Sequence, residues 1–154
     1  MTPSAQSKSQ TLERAATFAR RVFLVAAVYG FVALIPQYFM EGKSGRDFPP
    51  PITHPEYYYG FIGVALAWQV LFLVIAGDPI RYRVAIVPAT LEKLSFGGAA
   101  VVLYVQGRLA ALMFGAGIVD LLFALFFVAA FRSTMAAAAA PARGATAETT
   151  SPAS

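Results

Sequence analysis

Glu92 and Lys93 stand side by side within PATLEKLSFGGAAVV, and Asp120 stands alone within GIVDLLFALFFVAAF. Both stretches are otherwise almost wholly apolar. A charge at the centre of a bilayer costs about 2.5 to 3.5 kcal/mol even on lenient insertion scales. Three ionisable groups in such surroundings therefore mark a place where polar chemistry is held: an ion pair, a proton carrier, or the polar end of a ligand site. One lysine faces two carboxyl groups. Asp120, from a neighbouring helix, is the expected partner of Lys93, because adjacent residues on one helix point about 100° apart. Glu92 is then the carboxyl left to exchange a proton or to hydrogen-bond Gln69 or Tyr29.

The elements that position these residues follow from composition. Only 13% of the chain is charged and 58% is hydrophobic, where a soluble domain is about a quarter charged. Apolar stretches close to the roughly 20 residues that cross about 30 Å of hydrocarbon recur along the chain. None shows the polar outer face of an amphipathic soluble helix. The sequence predicts an all-α fold, a four-transmembrane-helix antiparallel up-down bundle with disordered termini. Its parts are a polar segment over residues 1–17, a membrane domain over 18–132, and a disordered low-complexity tail over 133–154. The spans fall at about 18–40, 57–77, 81–106 and 108–132. The first reads as a retained anchor, since its polar leader is long and no small-residue cleavage pattern follows it.

Aligned by depth, the spans bring their polar residues level. Asp120 has eleven uncharged residues on each side before Arg108 and Arg132. Tyr29, Gln69 and the Glu92–Lys93 pair lie near the middles of the other three spans. Helical phase puts Ala89, Glu92, Lys93, Phe96, Ala99 and Ala100 on the inner face of span three, and Met113, Ala116, Gly117 and Ala124 in line with Asp120. Ala65 and Ala76 share the Gln69 face. Small residues there let backbones approach. The expected ligand or proton site is Glu92, Lys93, Asp120, Gln69 and Tyr29, with Trp68 and Phe96 lining a pocket beside it. The opposing reading of the same layer is a polar network that only fixes helix register.

Charge placement sets the orientation. Lys8, Arg14, Arg20, Arg21, Arg81, Arg83, Arg132 and Arg143 fall on one side of the spans, against Lys43, Arg46 and Arg108 on the other. The positive-inside rule then puts both termini in the cytoplasm. Basic residues that flank spans instead of clustering on one face exclude a nucleic-acid partner. The outer connection, EGKSGRDFPPPITHPEYYYG, carries the only histidine, His54, whose irregular spacing from Glu41, Asp47 and Glu56 is not a metal-ligand pattern. Its Gly42-Lys43-Ser44 lacks the upstream glycine of a phosphate-binding loop, that position being Gln37. Three proline residues favour an extended segment there, and Tyr57, Tyr58 and Tyr59 suit the headgroup level. With no cysteine and no nucleophile beside a base, catalytic equipment is thin. No metal or cofactor is expected.

The stretch PATLEKLSFGGAAVVLY, followed by GIVDLLFALFFVAAF, resembles the last two spans of small four-helix bacterial membrane proteins and, more distantly, the DoxX-like group. The resemblance covers roughly residues 57–131 and rests on span number, loop length and the Glu-Lys and Asp positions. It implies a bacterial cytoplasmic membrane and, because some DoxX-type proteins accompany quinone-linked oxidation, a quinone or lipid as ligand. Residues and resemblance together point first to a multipass protein that binds a small lipophilic molecule or a proton in its polar layer. A non-catalytic subunit of a larger membrane complex, with a membrane protein partner, is the second reading.

Overall fold

The computed structural model describes residues 3–139, and every regular element among them is helical. Helix α1 (Pro3–Leu34) tightens into a 3₁₀ segment (Ile35–Phe39) and is followed by the short α2 (Glu41–Asp47). Helix α3 (Pro55–Gly77), a 3₁₀ turn (Arg83–Ala85), α4 (Ile86–Val105) and α5 (Ala111–Ala139) complete the chain. Proline explains several boundaries. Pro36 lacks the N–H that would continue α1, whereas Pro55 starts α3 and Pro88 sits in the first turn of α4, where that N–H has no intrahelical partner. Gly107, at φ +70°, ends α4 in the left-handed region. Its N–H donates to Tyr104 O at 2.9 Å and that of Arg108 to Leu103 O at 2.9 Å, a Schellman closure that turns the chain at once into α5.

Four helical segments, Gln6–Phe39, Pro55–Gly77, Arg83–Val105 and Ala111–Ala139, are long and apolar enough to cross a membrane. Their outward faces carry Val32, Val64, Leu91 and Leu125, each more than 60% exposed. Water would penalise so much bare apolar surface, and acyl chains do not. A lipid bilayer is the environment this surface implies.

Helix α1 packs on both α3 and α5, and α4 packs mainly on α5, while α3 and α4 touch only sparsely. The four long helices thus form an open row, α3–α1–α5–α4, with a gap between its ends. Arg20 closes one end of the α1–α3 pair, donating from Nε to Ala76 O and from Nη2 to Gly77 O, both at 3.1 Å. At the other end the Tyr58 hydroxyl donates to Gln37 O and that of Tyr59 to Glu41 Oε2, each at 2.8 Å. Between them lies an apolar cluster centred on Phe23, Phe72 and Phe127. Phe23 and Phe127 stack with ring centres 4.2 Å apart, and Phe72 meets Phe127 edge-on at 5.2 Å.

Several boundaries differ from the sequence expectation. Helix α1 starts within the segment expected to be a polar leader, at Pro3, and α5 runs past residue 132 to Ala139. Thr134 is fully buried there and its hydroxyl donates to Ala130 O at 2.9 Å, while Ala137 is 2% exposed. The rest of the expected tail, residues 140–154, lies outside the described residues. The connection between α1 and α3 contains α2, braced by the Lys43–Asp47 ion pair, a helix that the sequence did not signal and that ends before the three prolines.

Candidate functional site

The site is built on a close contact between α4 and α5. A Cβ at Gly117 would lie 2.4 Å from Ala100 Cβ, and one at Gly97 would lie 2.9 Å from Gly117 O, so only glycine at these positions lets α4 and α5 come so near. One turn before Gly97 on α4, and three residues after Gly117 on α5, that approach places Lys93 opposite Asp120. Lys93 Nζ donates to Asp120 Oδ1 at 3.1 Å and to Oδ2 at 3.2 Å. Both residues are buried, and the Phe72 ring lies 5.5 Å from the ammonium on its apolar side. The pair is therefore charge-assisted, two-pronged and backed by a ring face.

Glu92 is held differently. Its Oε2 stands 3.4 Å from Lys93 Nζ, within ion-pair range, but the angles make no hydrogen bond and the oxygen is buried without a partner. A second buried oxygen shares this condition. Gln69 is 1% exposed and its Nε2 donates to Ala65 O at 2.9 Å, leaving Oε1 with no donor. A Cβ at Gly30 would fall 2.1 Å from that oxygen, so the glycine makes room for the amide. Buried acceptors of this kind carry a desolvation cost of about 1 to 3 kcal/mol unless something donates to them.

Both orphan oxygens belong to residues that line one cavity of about 360 Å³. Its wall is drawn from all four long helices: Tyr29 and Gly30 from α1, Phe61, Ala65 and Gln69 from α3, Glu92, Lys93 and Phe96 from α4, and Met113, Ala116 and Asp120 from α5. Phe61 and Phe96 meet across the α3–α4 gap with ring centres 6.2 Å apart. Residue numbers fix the order along the bundle. Along α1 and the 3₁₀ segment after it the cavity takes positions 29 to 37 and the apolar cluster 19 to 27, so cavity and cluster are stacked end to end with the charged pair between them.

Tyr29, Gln69, Glu92, Lys93, Phe96 and Asp120 all line this cavity. Trp68 does not; it packs against the phenylalanine cluster, about 100° around α3 from Gln69. The inner stripe of α4 runs Ile86, Ala89, Thr90, Lys93, Gly97, Ala100, so Ala99 faces outward and Gly97 takes the place expected for it. Glu92 consequently sits on the edge of that stripe. Gly30 and Phe61 escaped the sequence reading. A glycine in a helix interior, unfavourable by about 1 kcal/mol against alanine, was the available signal for the first, and the spacing Phe61-Ala65-Gln69 for the second. His54 lies apart from the site, its Nδ1 3.1 Å from Glu56 Oε1 on the outer connection.

Chemically, the arrangement offers a closed ion pair, one further carboxyl, two unpaired acceptors and an aromatic wall. It can grip the polar end of a lipophilic molecule or hold a proton on Glu92. Comparison of the chain with family models, with curated proteins and with solved structures finds no match.

Proposed function

We propose that this is a multipass protein of the bacterial cytoplasmic membrane that binds a small lipophilic molecule, or a proton, in its mid-membrane polar layer. Its four spans run antiparallel, up and down, with both termini cytoplasmic. The observation that carries the reading is the cavity itself: space of about 360 Å³ beside two buried oxygens that lack donors. A layer that served only to fix helix register would be packed and internally satisfied. The volume is within the range of about 300 to 1,000 Å³ typical of small-molecule sites. Support for the antiparallel arrangement comes from Arg20 meeting the end of α3 while Glu41, beyond α1, meets its start. The excess of Lys and Arg on one side supports the orientation. A quinone or a lipid is the ligand that the DoxX-like resemblance suggests.

The alternative, a non-catalytic subunit of a larger complex, draws on the sparse contact between α3 and α4, a side along which a partner helix would lie. Extraction in a mild neutral detergent followed by intact-mass analysis separates the two. A stoichiometric lipid or quinone retained on the chain supports the ligand reading, and a stoichiometric protein partner with an empty cavity overturns it.

A further inference from the structure

Resting on the ligand-site reading above, we infer that the cavity takes an amphipathic ammonium, a protonated amine on an aryl or alkyl body, and exchanges it for a proton on Glu92. Charge sets the sign of the ligand. Glu92 and Asp120 face the one ammonium of Lys93, and Lys93 gives both of its hydrogen bonds to Asp120, at 3.1 and 3.2 Å. One carboxyl is left over, with its Oε2 buried and unbonded, and Gln69 Oε1 is equally without a donor. An anionic ligand would bring more acceptors to a site that already has an excess of them. A neutral alcohol would offer a single donor and leave the proton on Glu92. An ammonium supplies several N–H donors, and its positive charge is what replaces that proton. The rings of Tyr29, Phe61 and Phe96 in the wall suit both halves of such a ligand, attracting a cation to their faces and packing its apolar body.

The exchange balances. The ligand arrives as R–NH₃⁺, the Glu92 carboxylic acid releases its proton to the solvent, and the carboxylate pairs with the ammonium; no other covalent bond changes. The groups facing Glu92 are Lys93 on its own helix, Asp120 from α5, Tyr29 from α1 and, from α3, the uncharged amide of Gln69. Lys93 and Asp120 stay paired throughout. A proton and the amine therefore compete for one carboxylate, so acidification weakens amine binding.

Calorimetric titration of the purified protein in neutral detergent with four probes of one skeleton tests this: phenylbutylamine, its N-trimethyl analogue, phenylbutanol and phenylbutyrate. The amine is expected to bind about tenfold tighter than the alcohol, the difference of one charge-assisted hydrogen bond over a neutral one. The trimethyl analogue, charged but without N–H, falls below the amine, and phenylbutyrate does not bind. Amine affinity falls as pH is lowered, and titrations in buffers of different ionisation heat register proton release on binding. In Glu92→Gln the preference for amine over alcohol disappears together with the pH dependence. Equal affinity for amine and alcohol in the parent, binding of phenylbutyrate, pH-independent amine binding, or no binding by any probe overturns the ammonium assignment. These measurements on the parent need no variant to fold. Retention of a lipid or quinone on the extracted protein decides the broader ligand reading separately.

Discussion

Lys93 has three N–H hydrogens and spends two of them on a single carboxylate, which leaves Glu92 beside the charge but outside the bond. Removing one member of a buried pair strands the other and costs about 3 to 5 kcal/mol, whereas replacing both by apolar side chains is often nearly neutral. Lys93→Met and Asp120→Leu are each expected to lower the yield of folded, monodisperse protein on size exclusion, and the double replacement to recover most of it. A double variant worse than either single one would show that the pair is not the unit that matters. The pair was legible in the sequence because charge is so rare in these stretches that each instance demands a partner. The neighbours were less so. Ala99 follows from counting 100° steps along α4, where an error of one position swings a side chain off the inner face, and Trp68, though next to Gln69 in sequence, points about 100° away from it. A glycine such as Gly30 carries no side chain to announce what it faces.

At the scale of elements, the α4–α5 contact decides whether Lys93 and Asp120 can meet. Gly117→Val would drive its Cβ against Ala100, at 2.4 Å before any relaxation, while Gly98 has nothing within 4 Å of an added Cβ. Overpacking of this kind costs about 1 to 3 kcal/mol. Gly117→Val should lower the midpoint of a denaturant titration in micelles, and Gly98→Ala should leave it unchanged or raise it through helix propensity. Equal midpoints for the two would mean that the close approach is not needed. The spans themselves were plain from their length and apolarity, but their ends were not. Polar residues before 18 and alanines after 132 suggest disorder when read alone; attached to a helix already formed, they extend it without a new nucleation cost. Alanine, the best helix former, then carries α5 to residue 139. The short α2 holds two glycines in seven residues and has no buried side chain, so neither propensity nor periodicity could signal it.

The whole molecule is a row of four long helices whose two ends scarcely touch, and its proposed orientation is open to a direct test because the chain has no cysteine of its own. Gly42→Cys, on the outer connection, should react with an impermeant maleimide added to intact cells, and Ser9→Cys, near the start of α1, only after the membrane is opened. The reverse pattern would invert the topology. Order along the row was not legible from sequence, since nothing in four apolar spans says which are neighbours; it depends on where small residues happen to face one another. The stacking of Phe23, Phe72 and Phe127 beneath the charged pair has one further consequence. A membrane that stores energy as an ion gradient is discharged by any continuous hydrated path. The three rings form an apolar plug in series with the cavity, so under the proposed reading a proton or amine that reached Glu92 would find no polar path onward, and the exchange would not open a leak across the bilayer.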